Sequence, residues 1–139
     1  MDIADVRNRV RESIERAKRR AGERHTRVDE ASAAYARFLD RIAVPLFRQV
    51  ENVLRVQGYA FTLFTPGGSV RLMSDRAAEN YIEFVFDAAS DPPAVVGHTR
   101  RTRGSRIDEA EITIGDPAAL TEEDVLAFLL RALEPFAER

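Results

Sequence analysis

The segment between positions 98 and 106 carries the side chains best suited to bind an anion. It contains one imidazole and four guanidinium groups, those of His98, Arg100, Arg101, Arg103 and Arg106. Guanidinium groups form paired hydrogen bonds with phosphates and carboxylates, so a hairpin with four of them suits an anion or a nucleic acid. In a meander, however, the neighbouring strands would present acids such as Glu83 and Glu109. We therefore expect a ladder of cross-strand ion pairs, with anion binding as the alternative.

A second basic region covers residues 7–27, which hold nine basic and three acidic side chains, a net charge of +6. Its candidate contacts to an anion or a nucleic acid are Arg16, Lys18, Arg19 and Arg20. A basic helix can follow a phosphate backbone. Because the outer faces of coiled coils are also charged, we favour a solvated helix face for these residues.

Catalytic and metal-binding patterns are weak in this chain. His25 and Asp29 lie four residues apart and would supply a metal with only two ligands. Ser69, His98 and Asp75 are the residue types of a catalytic triad, but their spacing is not that of one and the sharp turn around the serine is missing. The chain has no cysteine, which excludes thiolate chemistry. We predict no catalytic, cofactor-binding or metal-binding residue and a protein that is not an enzyme.

The strongest pattern lies in residues 1–57, where apolar residues recur every three or four positions. An apolar stripe of nine residues has this spacing: Val10, Ile14, Ala17, Ala21, Val28, Ala31, Tyr35, Phe38 and Ile42. A stripe that keeps a seven-residue repeat is typical of a coiled coil. It predicts that residues 1–57 are an oligomerisation region and that the chain forms a homodimer, the commonest closed assembly.

Two features could interrupt this helix. Gly22 followed by Thr26 is typical of a helix end and a new N-cap, which would give a helical hairpin. The heptad spacing passes through these residues without a change of phase, so we favour a continuous helix and keep the hairpin as the alternative. Pro45 lacks a backbone donor and predicts a kink near Ala43 and Val44.

The second half, residues 58–139, changes to aromatic and β-branched residues separated by turn signals. It predicts a four- to five-stranded antiparallel meander followed by a helix that begins at a capping box of Thr121 and Asp124. We expect the sheet face with Phe84 to pack against Phe128 of this helix. The predicted fold class is α+β, with a long amphipathic N-terminal helix and a small head domain.

Composition and charge restrict where such a chain could work. A content of 45% hydrophobic and 32% charged residues is typical of a folded protein. The N-terminal residues are charged throughout, unlike a signal peptide, and no stretch is long and apolar enough to span a membrane. Together with the absence of cysteine, these features predict a cytoplasmic protein without a membrane partner. Of the 21 basic residues all except Lys18 are arginine, which indicates a GC-rich bacterial genome.

Three functions are compatible with these patterns. The first is a non-enzymatic, homo-oligomeric interaction or adaptor protein that binds another protein through its head domain. The second is a nucleic-acid-associated protein that uses the basic helix and the arginine-rich hairpin. The third is a small-molecule-binding domain that uses the face of the sheet left open by the C-terminal helix.

Overall fold

The computed structural model describes residues 1–138, which form an α+β fold as predicted. The elements in chain order are α1 (Ile3–Phe38), a π-helical segment (Leu39–Ala43), α2 (Val44–Val56), β1 (Phe61–Phe64), β2 (Val70–Ser74), β3 (Tyr81–Asp87), β4 (Ala94–Arg103), β5 (Arg106–Gly115) and α3 (Glu122–Ala137). The sheet is an antiparallel meander in which each strand pairs with the next, in the order β1-β2-β3-β4-β5.

Helix α1 is continuous over 36 residues, so the hairpin alternative is wrong. The Asp2 carboxylate accepts a hydrogen bond from the Ala4 N–H at the N-terminus. Inside the helix, the Thr26 hydroxyl donates to the Gly22 carbonyl at 3.0 Å and does not cap a new segment. One glycine costs a helix about 1 kcal/mol relative to alanine. That cost is too small to end a helix whose neighbouring alanine, arginine and glutamate residues are strong helix formers.

The interruption predicted at Pro45 takes the form of a π-helical segment. The Val44 N–H donates to the Leu39 carbonyl five residues earlier, and α2 begins there with Pro45 in its first turn. Proline has no N–H to donate, and the π-helical segment before it replaces the α-helical hydrogen-bond pattern that a proline would break. The chain therefore continues as a helix through Val56.

The core lies between one face of the sheet and the helices. Phe84 of β3 lies at the centre of this core and is 0% exposed. The centroid of its ring is 6.0, 5.2 and 5.0 Å from the ring centroids of Phe38, Phe47 and Phe128. The contact between Phe84 and Phe128 confirms the predicted packing of α3. From the sequence we expected the last helix alone to cover this face. The end of α1 and one side of α2 also pack against it.

A glycine in β4 allows α3 to approach the sheet closely. Gly97 pairs with Phe84 on one side and with Ile112 on the other. A Cβ atom built at Gly97 would lie 2.5 Å from the Phe128 ring and 3.1 Å from Ile114. The missing side chain thus makes the space that the Phe128 ring fills.

The packing joins the end of the predicted helical region, residues 1–57, to the head. Tyr35, Phe38, Ala43 and Phe47 belong to the same buried cluster as the sheet residues. The helical region after about residue 30 is therefore part of the head, and only the N-terminal half of α1 lies outside it. The physical reason is that the sheet has a wide apolar face, which one short C-terminal helix does not cover.

Candidate interaction surface

The N-terminal part of α1, residues 3–27, projects from the head and is here called the projecting half, although it holds 25 of the 36 residues of the helix. Residues 1–27 are all exposed, and Val28 is the first residue that the head partly covers. At 1.5 Å per residue, the helix from Ile3 to Val28 is about 38 Å long. This length exceeds the radius of a compact head of about 110 residues, so the projecting half is a substantial surface in its own right.

Apolar side chains form one line along the projecting half, here called the exposed stripe: Ile3, Val10, Ile14, Ala17, Ala21 and Val28. Ile3, Val10 and Ile14 are 75%, 53% and 49% exposed. Burying a side chain of this size stabilises by about 1.5–3 kcal/mol. Covering the exposed stripe with another chain would therefore lower the free energy. Ile3 lies one heptad before Val10 and was missed in the predicted stripe, although the spacing identifies it.

The predicted self-association residues separate into two groups. Val10, Ile14, Ala17 and Ala21 are exposed, whereas Val28 and Ala31 are partly covered. Tyr35 and Phe38 are buried, and Ile42 packs against the same core. These last three residues contact the chain's own head and are not available to a second chain. The heptad spacing could not separate the two groups because the stripe runs along the same side of the helix through both halves.

Basic residues occupy several sides of the projecting half of α1. All nine basic side chains between Arg7 and Arg27 are exposed. Within residues 1–138, none of them forms an ion pair with a carboxylate; one hydrogen bond joins Arg11 to the Asn8 side chain at 2.8 Å. The candidate anion contacts Arg16, Lys18, Arg19 and Arg20 therefore lie in solvent with their charges available.

The arginine-rich hairpin is partly the predicted ladder. Arg100 lies opposite Glu109 with Nε 3.6 Å from the carboxylate, and Arg106 lies 2.9 Å from Asp108 of its own strand. Arg101 and Arg103 form no ion pair within the described part of the chain. Arg103 lies opposite Arg106, so of these two arginines beside the turn one is paired with Asp108 and the other is not.

On the open face of the sheet, Glu83, which was expected to pair with the arginine-rich hairpin, pairs with Arg71, which the sequence analysis did not single out. The Arg71 guanidinium lies 2.8 Å from the Glu83 carboxylate and 4.1 Å from the centroid of the Tyr81 ring. Tyr81 in turn contacts the ring of His98 edge to face at 5.7 Å. Glu83 is 6% exposed. The register of the strands brings these residues together, and the sequence alone did not determine that register.

Two small cavities lie at one end of the sheet, on the side that faces α3. One of about 170 Å³ is lined by Ser74, Asn80, Arg101 and Phe136, among others. Another of about 340 Å³ is lined by Arg101, Ala110 and Phe136 among others. On the open face, where we predicted a small-molecule site, the Tyr81 ring contacts the Arg71 guanidinium on one side and the His98 ring on another.

The hydroxyl group of Tyr35 lies in the core and has a perturbed pKa. Burial raises the pKa of the Tyr35 hydroxyl far above its ordinary range, and the nearby Glu83 carboxylate raises it further. The hydroxyl donates a hydrogen bond to the Gly68 carbonyl at 2.7 Å. It connects the end of α1 to the loop between β1 and β2 as a neutral donor, which is a structural contact.

Within residues 1–138, no three carboxylate or imidazole groups come together as metal ligands. No helix in this part of the chain combines the length and the apolar character that crossing a membrane needs.

Comparisons with protein-family models, with curated proteins and with solved structures found no match to this chain.

Proposed function

We propose that this chain is a non-enzymatic interaction protein that binds other chains by pairing the projecting half of α1 with a second helix. The observation that carries the proposal is the exposed stripe, from Ile3 to Val28, on a helix that the head leaves uncovered. The first partner is a second copy of the same chain. The open face of the sheet is a second surface, through which the head binds another protein in an adaptor role.

The head does not need the projecting half for its own stability. Phe38, Phe47, Phe84 and Phe128 form a core without any residue before Tyr35 in its main cluster. A surface helix normally buries its apolar side. The exposed stripe therefore has a purpose outside the head, and its heptad spacing is that of a helix that pairs along its length.

Sedimentation equilibrium of the full chain tests this proposal. At tens of micromolar protein in about 0.5 M NaCl, where like charges are screened beyond about 4 Å, the chain is expected to form a dimer. Ile14→Asp places a carboxylate in the exposed stripe and should return the chain to a monomer. Thr26→Asp is the matched control, because it adds the same side chain to the outer side of the helix. A wild-type monomer throughout, or equal masses for the two variants, would contradict the proposal.

A second candidate function is nucleic-acid binding by the same helix. The observation in its favour is the set of nine exposed basic residues without ion pairs. It predicts that replacing Arg16, Lys18, Arg19 and Arg20 by Gln weakens binding to duplex DNA of random sequence. It also predicts that the affinity of the wild-type chain falls steeply as salt increases. Fluorescence anisotropy with labelled DNA measures both effects.

A further inference from the structure

The charges that border the exposed stripe have a consistent arrangement. With Ile14 and Val28 at heptad position a and Val10 and Ala17 at position d, the helix of Ile3–Phe38 gives every residue of the projecting half a defined heptad position. Positions e and g border the stripe, and positions b, c and f point away from it. Side chains at a, d, e and g are the ones that a paired helix touches.

All charges at these contacting positions are positive. The basic residues at a, d, e and g between residues 3 and 30 are Arg7, Arg11, Lys18, Arg20, Arg24 and Arg27. The acidic residues of the same segment all lie at b, c or f: Asp5, Glu12, Glu15, Glu23, Asp29 and Glu30. The contacting side of the helix therefore carries six positive charges and no negative charge, although the segment as a whole contains both.

A second copy matches this side poorly in either orientation. In a parallel pair, position g of one helix meets position e of the next heptad in the other, which brings Arg20 against His25 and offers Lys18 no acid. Arg7 and Arg24 would each face their own copies inside the pair. In an antiparallel pair the bordering positions of equal type meet, and these positions again hold only basic or neutral residues. Like charges at such distances repel and weaken the pairing.

We infer that the preferred partner of the exposed stripe is an amphipathic helix of another protein with apolar residues at its centre and acidic residues along both borders. This inference rests on the function proposed above and specifies its partner. Carboxylates at the borders would accept hydrogen bonds from the guanidinium groups of residues such as Arg11 and Arg27. A nucleic acid fits less well, because a phosphate backbone offers Ile3, Val10 and Ile14 no apolar surface to bury.

A charge-reversed copy of the chain supplies a defined acidic partner. The border variant carries Arg11→Glu, Lys18→Glu, Arg20→Glu and Arg27→Glu. The control variant carries the same number of reversals on the outer side of α1, at Arg9, Arg16, Arg19 and Arg37, all of which are exposed. Each variant is mixed with the wild-type chain, and association is measured by sedimentation velocity. Circular dichroism establishes that all chains have equal helix content.

The expected result is selective mixing at low salt. In about 50 mM NaCl, the wild-type chain should bind the border variant at least about ten-fold more tightly than it binds itself or the control variant, and about 0.5 M NaCl should remove most of this preference. A synthetic peptide of residues 2–30 with the four border reversals should compete for the wild-type chain, and the peptide of natural sequence should not. The peptide keeps the test decisive if the border variant does not fold.

Four results would overturn the inference, and each has a different meaning. Self-association of the wild-type chain as tight as the mixture would make a second copy the partner. Tighter binding to random duplex DNA than to the border variant would favour a nucleic acid. The wild-type chain could show no preference for the border variant and still dimerise in high salt, with the dimer lost in Ile14→Asp. That result would refute the acidic partner and leave the proposed function intact. Absence of association in every mixture and at every salt concentration would refute both.

Discussion

The two halves of α1 have the same apolar spacing and different surroundings. In the half next to the head, Tyr35 and Phe38 are buried against the sheet, and the Tyr35 ring stacks on Phe86 at 4.9 Å. In the projecting half, Val10 and Ile14 are about half exposed. The comparison teaches that a heptad stripe predicts which side of a helix is buried but does not predict what buries it. Aromatic residues occupy the half that packs on the sheet, and smaller aliphatic residues occupy the other.

This difference has an energetic consequence. Unfolding the head exposes the aromatic cluster around Phe84, whereas unfolding the projecting half exposes little that is not already in water. The stability of an isolated chain should therefore depend on substitutions in the head and hardly on substitutions in the exposed stripe.

Phe84→Ala should lower the free energy of unfolding by about 3–5 kcal/mol, because it leaves a cavity among three other rings. Ile14→Ala in the projecting half is the comparison and should change the free energy of unfolding of the monomer by less than about 0.5 kcal/mol. Urea denaturation at low protein concentration measures both. Similar losses for the two variants would show that the projecting half is packed in the monomer.

Gly97→Ala should cost about 1–3 kcal/mol, because the added methyl group meets the Phe128 ring and α3 must shift away from the sheet. Gly67→Ala is the control, since a methyl group there meets no other atom within 4 Å. Thermal denaturation with matched buffers compares the two. If Gly97→Ala were as stable as the control, α3 would not lie as close to β4 as the structure places it.

Tyr35→Phe should lower stability by about 0.5–1.5 kcal/mol at neutral pH, because the hydrogen bond to the Gly68 carbonyl is lost. The raised pKa of Tyr35 adds a pH dependence. The unfolded chain releases the tyrosine proton near its ordinary pKa of about 10, whereas the folded chain keeps it. The stabilisation that the protonated Tyr35 hydroxyl provides is fully present below about pH 10 and is lost as the pH rises above it. Denaturation curves between pH 8 and about 11 should show wild type and variant converging; a constant difference would contradict this account.

Arg101→Gln together with Arg103→Gln should change stability by less than about 1 kcal/mol, because neither residue forms an ion pair in the described part of the chain. If the arginine-rich hairpin has no role in anion binding, affinity for random duplex DNA should also stay unchanged. Fluorescence anisotropy at low salt measures it. A loss of affinity would add the hairpin to the nucleic-acid surface of the second candidate function.

Much of the fold could be predicted because each element has a local cause. The alternation of Ile82, Phe84 and Phe86 predicts the buried side of β3, and the capping box of Thr121 and Asp124 predicts the start of α3, which the structure confirms. The contact of Phe84 with Phe128 was also predicted. These features depend on residue type and on neighbours within a few positions.

The remaining features depend on contacts between distant segments. The assignment of Tyr35 and Phe38 to the head follows from the width of the sheet's apolar face, which no local pattern contains. The pair of Arg71 and Glu83 follows from the register of β2 and β3, in which these residues lie directly opposite each other. The positive border of the exposed stripe was present in the sequence, but it gains meaning once the helix is known to be continuous and uncovered.

Amide hydrogen exchange tests the central claim most directly, because one experiment reports on both halves of α1. In dilute wild-type chain at low salt, residues 3–27 should exchange fast, since an uncovered helix of this length is only marginally stable, while residues 35–56 should be protected. Under conditions that produce a dimer, or on addition of the border variant, protection should extend through residues 3–27 and leave the head unchanged. Residues 3–27 that stay unprotected in every associated state would show that the exposed stripe is not the surface that pairs.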